Sequence, residues 1–133
     1  MSMEEIFKQL KDLQKNAYCP YSHYPVSAIV KVGEDYFNGV NVENGVYPLS
    51  VCAERNAIAN AVSHGAKKID ELYLLAGQDE KKLATPCGGC RQVIFEFANN
   101  LKMPIYIFNI EGQYKPLLLE ELLPHPWEEI HNE

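Results

Sequence analysis

Cys52, Cys87 and Cys90 are the side chains of this chain with the most chemistry to offer, and Glu54 stands two positions after the first of them. Cys87 and Cys90 form a C-x-x-C pair, and on a helix residues three apart face the same side, so both sulfurs can reach one ion. Helix N-termini carry partial positive charge and free N–H groups, which favour thiolates. Soft sulfur donors in tetrahedral arrangement select zinc. Three protein ligands rather than four leave a position for water, which separates a catalytic zinc site from a structural one. Glu54 is then placed to take a proton from that water and hand it to a ring nitrogen or a leaving amine. The plainer reading of Glu54 is a carboxylate that stabilises a helix dipole. Three thiolates around a dication leave one negative charge, and Arg55 and Arg91 are the cations placed to compensate it; otherwise each is a surface ion pair. Two other arrangements use the same cysteines. Cys19 could close the site as a fourth ligand, or Cys87 and Cys90 could work as a dithiol, which leaves Cys52 without a role.

These residues need helices that start at the right places. Residues 2–16 read as an amphipathic helix, with Met3, Ile6, Phe7, Leu10, Leu13 and Ala17 at helical spacing and a capping box from Ser2 to Glu5. Lys8, Lys11 and Lys15 fall on its solvated side. A proline-punctuated loop follows, then strand candidates at 26–32 and 36–42, joined at Gly33-Glu34-Asp35 as an antiparallel hairpin. The spacing predicts a helix over 51–63 with Ser50 as N-cap and Gly65 as its stop. A strand is expected at 71–76. Next comes a helix capped by Thr85, with Pro86 at its first position, running to about residue 99. A strand at 104–109, a short edge strand at 114–116 and a helix at 117–123 complete the chain. This order is an α/β pattern and predicts a mixed sheet between helices.

Composition narrows the function classes. The 133 residues fit one domain, 1–133, and 47% hydrophobic residues are enough for a core without disulfide staples. Twelve Lys plus Arg against eighteen Asp plus Glu give a net charge of −6, which disfavours a nucleic-acid partner. Met1–Lys11 carries no apolar signal core, and no apolar run approaches a membrane span of roughly 18 residues. The expected compartment is the cytoplasm, with no membrane partner. The four histidines, His23, His64, His125 and His131, read as solvated or satisfied rather than as ligands.

Cys52-Ala53-Glu54-Arg55 and Pro86-Cys87-Gly88-Gly89-Cys90-Arg91-Gln92 resemble the paired signatures of the zinc nucleoside deaminases. The wider chain is similar to the small cytidine deaminases through Pro20-Tyr21-Ser22-His23-Tyr24-Pro25-Val26, Asn41-Val42-Glu43-Asn44, Tyr47-Pro48-Leu49 and Leu122-Leu123-Pro124. The resemblance runs from the first helix to about residue 127. It implies the three-layer cytidine-deaminase-like fold with a mixed five-stranded sheet, and a Zn²⁺ cofactor. The implied activity is hydrolytic deamination of cytidine and deoxycytidine, as in pyrimidine salvage. It implies that Asn41 and Glu43 hold the ribose, that Tyr24 stacks on the pyrimidine where Phe is usual, and that the Ala53 backbone contacts the base. It further implies a homotetramer in which Tyr47 and Trp127 reach a neighbouring subunit's site. Ser27 replaces the usual Gly, and Gly45 and Cys19 the usual Ala. Positions 41 and 43 share a face of an extended segment, and a carboxylate there suits a neutral sugar better than a phosphate. That favours a nucleoside over a nucleotide. The Asn41–Asn44 loop disfavours a nucleoside antibiotic such as blasticidin, and the acidic balance disfavours cytosine within nucleic acid.

Overall fold

A computed structural model describes residues 1–78 and 83–128; His131 lies outside them. Helix α1 (Met3–Gln14) starts at Ser2, whose hydroxyl accepts from the Glu5 N–H while the Glu5 carboxylate accepts from the Ser2 N–H, each at 3.2 Å. Strands β1 (Val26–Val32) and β2 (Asp35–Val40) pair antiparallel, with Val32 opposite Asp35. Gly33 turns between them at φ 60°, the sign a two-residue II′ turn requires at its first position. Helix α2 (Ala53–Ser63), strand β3 (Glu71–Ala76), helix α3 (Gly88–Phe97), strands β4 (Pro104–Phe108) and β5 (Tyr114–Leu118) and the short helix α4 (Leu119–Leu122) follow.

The strand order is β2-β1-β3-β4-β5. β3 and β4 run parallel, bridged by α3, and the other pairs are antiparallel. Alternate residues leave the sheet on opposite faces. Ala28, Val30, Leu72, Leu74, Ile105 and Ile107 pack with α2, α3 and α4, while Ile29, Tyr73, Leu75 and Phe108 pack with Ile6 and Leu10 of α1. The result is three layers, with both metal-motif helices on one face. Ser27 is buried, and its hydroxyl donates to the Leu10 carbonyl of α1 at 2.7 Å, so the departure from glycine is satisfied. No helix among the described residues is long and apolar enough to cross a membrane.

Two helix starts differ from expectation. Cys52 and Cys87 themselves occupy the N-cap positions of α2 and α3, in place of Ser50 and Thr85. Val51 is drawn into an antiparallel bridge with Val42, with backbone bonds of 2.8 and 2.9 Å, so the helix cannot begin before residue 52. The Ser50 hydroxyl instead accepts from the Asn44 N–H. Thr85 accepts from Arg91, and Pro86 precedes the cap rather than opening the helix.

The position of α2 is set by Gly39 in β2. A Cβ at Gly39 would lie 2.3 Å from the Ala57 nitrogen and 2.7 Å from the Ala53 oxygen, both backbone atoms. Glycine within a strand permits such close backbone approach. Asn56 and Asn60, one turn apart on α2, then donate to the Val40 and Asn38 carbonyls of the edge strand at 2.7 and 3.1 Å. The other edge carries Pro116, which has no N–H to offer a further strand. Gly39→Ala should therefore force α2 off the sheet and cost on the order of 1–3 kcal/mol. Thermal unfolding should show a melting temperature several degrees lower than wild type. Gly88→Ala, where an added Cβ meets nothing within 4 Å, serves as the comparison. An unchanged melting temperature in Gly39→Ala would mean that this contact does not set the helix.

Candidate active site

Two helix caps and one first-turn residue bring the sulfurs together. Sγ of Cys52, Cys87 and Cys90 all lie within 4.8 Å of one another. Tetrahedral bonds of about 2.3 Å to zinc place sulfurs about 3.8 Å apart, so the cluster matches that ion with small adjustment. Cys90 is fully buried, Cys52 half-buried and Cys87 exposed. The Cys90 N–H points at the Cys87 sulfur at 3.5 Å. Hydrogen bonding from the Cys90 thiol, aided by Arg55, holds the Cys52 thiol down to about 5. The same contact with Cys52, with burial, pushes Cys90 up. The cluster thus already shares negative charge in the way a soft cation would use.

Arg55 supports that charge directly. Its Nη2 lies 3.5 Å from the Cys52 sulfur and 3.4 Å from the Ser50 carbonyl oxygen. Its Nε is buried and has no hydrogen-bond partner among the described residues. Arg91 is oriented differently. It donates to the Pro86 and Leu122 carbonyls, each at 2.7 Å, and to Thr85 Oγ1 at 2.9 Å, bracing the loop before Cys87 against the end of α4.

Glu54 lies in the first turn of α2 and is 5% exposed. Burial raises its pKa above the usual carboxylate range, and the Cys52 thiolate adds to that. It is outside the sulfur cluster, as are Cys19 and, among the described residues, every histidine. A cavity of about 250 Å³ has Cys52, Cys87, Glu54, Ala53, Tyr24 and Asn41 in its wall. Val26 and Thr85 also line it, and Leu74, Ala76 and Ala84 complete the wall; these last three were not singled out by residue type, because apolar wall positions look like any core position.

The remaining residues divide. Asn41 Oδ1 accepts from the Val26 N–H and its Nδ2 donates to the Tyr24 carbonyl, both at 2.9 Å. The Glu43 carboxylate accepts from the Tyr21 and Ser22 N–H groups at 3.1 Å, and hydrogen bonds from Ser22 keep its pKa low. Glu43 and Tyr47 line a second cavity, of about 320 Å³, with Tyr21, Ser22 and Ser50. Tyr47 is 71% exposed and Trp127 75%. The Trp127 backbone is clasped by Gln92, which accepts from its N–H at 3.1 Å and donates to its carbonyl at 2.8 Å. Neither aromatic is in the wall of the sulfur-lined cavity.

Three thiols placed to hold a soft cation, and a buried carboxyl group in the same cavity wall as two of them, are the site of a zinc-binding α/β domain. The chain belongs to the family described as the cytidine and deoxycytidylate deaminase zinc-binding region, whose model matches residues 1–105. It is 39% identical over 126 residues to a cytidine deaminase of Sporosarcina psychrophila, covering 93% of this chain and 90% of that one. It is 37% identical over 123 residues to a cytidine deaminase of Mycoplasma genitalium, covering 92% and 93%. The crystal structure of a cytidine deaminase from Burkholderia pseudomallei superposes with a TM-score of 0.87 at 29% identity, over 96% of this chain and all of the other.

Because Cys19 is outside the cluster, Cys19→Ala should keep the zinc content of the wild type, whereas Cys90→Ala should lose it. Elemental analysis of the purified variants checks both. Zinc loss in Cys19→Ala would return the closed four-cysteine arrangement.

Proposed function

We propose that this chain hydrolyses cytidine and deoxycytidine to uridine and deoxyuridine with release of ammonia, a reaction of pyrimidine salvage in the cytoplasm. The observation that carries the reading is a buried Glu54 carboxyl group in one cavity wall with Cys52 and Cys87, outside the sulfur cluster. The substrate follows from the relatives, which are cytidine deaminases.

Cys52, Cys87 and Cys90 would hold the ion, which when bound supplies a polarised water with its pKa lowered toward about 7. Glu54 accepts a proton from the water as its oxygen bonds C4 of the base, and delivers that proton to N3. Glu54 then moves the remaining hydroxyl proton to the amine. The C4–N bond breaks, ammonia leaves and the C4 carbonyl forms. Arg55 offsets the surplus negative charge of three thiolates, and Arg91 contributes more remotely by fixing the loop before Cys87.

Tyr24 offers a ring face to the pyrimidine, and the Ala53 backbone meets its edge. Asn41 and Glu43 receive the ribose hydroxyls. Asn41 keeps a second amide hydrogen beyond the one given to Tyr24, and Glu43 keeps further lone pairs. A carboxylate at this point disfavours a phosphorylated substrate. Nucleic acid is disfavoured by the net charge of −6.

The working form is a homotetramer of single-domain chains. Tyr18, Tyr21, Val42, Val46, Tyr47 and Leu49 are all exposed within one stretch of sequence, and apolar surface of that extent favours cover by a partner. Tyr47 and Trp127 would extend into a neighbouring subunit's site.

Glu54→Ala should retain zinc and lose turnover by about 10²- to 10⁴-fold or more. Cytidine deamination at the wild-type rate in that variant would remove Glu54 from proton transfer. Asn41→Ala and Glu43→Ala should act mainly by raising KM, and unchanged kinetics in both would remove the ribose assignment. A spectrophotometric panel of cytidine, deoxycytidine, CMP, cytosine, adenosine and blasticidin tests the substrate, with turnover expected for the first two.

A further inference from the structure

A heavily bonded buried side chain lies outside both cavities. Gln14 is the last residue of α1, one turn beyond Leu10 on the face that meets the sheet, and it is 7% exposed. Packing alone would accept leucine or methionine there, and a buried amide is costly unless bonded. The two hydrogens of the Gln14 amide go to the Gly77 carbonyl at 2.8 Å and the Pro25 carbonyl at 3.1 Å, and the Leu75 carbonyl lies 3.4 Å from the same nitrogen as a shared, longer contact.

Those carbonyls belong to two segments, one opening β1 and one closing β3. The Gly77 N–H also reaches the Pro25 carbonyl, at 2.8 Å. Tyr24 is held where the segments meet. Its carbonyl accepts from Asn41, and its ring lies on Gly77, where a Cβ would come within 3.0 Å of the ring's Cε1 and 3.3 Å of its Cζ. Gly77 has φ 79°, so the turn that supports the ring also needs glycine. His23, just before Tyr24, has φ 56° and is the one non-glycine residue with positive φ among the described residues. A loop that reaches its ring through so unfavourable a conformation must be held by its surroundings.

We infer that Gln14 is a positioning residue for Tyr24. From the face of the sheet opposite the metal helices, it ties the Tyr24–Val26 segment to the Gly77 turn and so sets the wall on which the base rests. Gln14 is not in the lining of the sulfur-lined cavity, so its effect on substrate passes through Tyr24. The inference rests on the assignment of Tyr24 to the base in the proposed function.

The test is a double-mutant cycle on the zinc-loaded enzyme, with kcat and KM for cytidine and zinc content measured for Gln14→Met, Tyr24→Ala and the pair. Gln14→Met should keep its zinc, raise KM about five- to tenfold and change kcat less than about twofold. In the Tyr24→Ala background it should add nothing, because residues acting as one unit are not additive. Gln14→Lys, which keeps a donor, should show a smaller rise in KM than Gln14→Met. Equal KM factors in both backgrounds, or an unchanged KM in Gln14→Met, would overturn the inference. An unchanged KM in Tyr24→Ala alone would overturn the base assignment and the inference with it, and is distinguished by leaving Gln14 intact. Should Gln14→Met not accumulate as folded protein, Gln14→Asn, too short to span both segments, carries the same expectation and the same overturning results.

Discussion

Two helix N-termini point at one place, and that is an electrostatically awkward arrangement. The partial positive ends of α2 and α3 would repel across a short gap, and their first N–H groups would lack partners. Sulfurs at the two N-caps and in the first turn of α3 put negative charge between them. A dication held by those sulfurs depends on the same convergence, since it needs ligands from both helices. The rest of the fold can be read as what brings the two helix starts together. Gly39 lets the α2 backbone press against the edge of the sheet, and the bridge between Val42 and Val51 delays the helix until Cys52 is its cap. Arg91 ties the loop before Cys87 to the end of α4.

Both faces of the sheet serve the cavity, by different means. The face covered by α2 and α3 supplies the sulfurs and Glu54 directly. The face covered by α1 supplies no lining residue, yet it reaches the cavity rim through the ends of β1 and β3. Those strands are neighbours, so one amide at the end of α1 can bond carbonyls from both. A helix that looks like plain cover for a sheet is therefore linked to the geometry of the rim.

How legible this was depended on whether a residue's role is carried by its type or by its surroundings. The cysteine cluster could be read because few functions need three thiols at helix starts. The strands could be read because short apolar runs are bounded by turn residues: β3 coincides with the expected 71–76 and β1 with 26–32, while β2 runs Asp35–Val40 rather than 36–42. The caps could not, because Ser50 and Thr85 have the right chemistry for capping and lose the role to tertiary contacts. The Val42 bridge takes the backbone at 51, and Arg91 takes the Thr85 hydroxyl. Gln14 and Gly77 were overlooked for a related reason. Glutamine near a helix end and glycine after a strand are ordinary in sequence, and only the convergence of three carbonyls makes them particular. Glycine inside β2 was the one local signal, since it weakens a strand unless another backbone comes close.

Under the proposed function, charge balance gives a reason for the placement of Arg55 and Glu54. Three thiolates exceed a dication by one unit, and a surplus of that sign makes a bound water a weaker acid. Arg55 Nη2 stands 3.5 Å from the Cys52 sulfur, where it would offset that surplus under the proposed function. Glu54 would add a second negative charge to the same cavity, but burial and the neighbouring thiolate both favour its protonated form. A carboxyl group pushed in that direction holds its proton more tightly than an ordinary solvated one, and more of its population carries a proton that can be passed to a basic nitrogen. The same environment makes it a stronger acceptor for a proton from water. Under the proposed reaction Glu54 must do both in turn, accepting from the nucleophile and donating to the base. Burial 5% short of complete, in the first turn of the helix whose cap is a ligand, is a placement from which one side chain can do both without moving far.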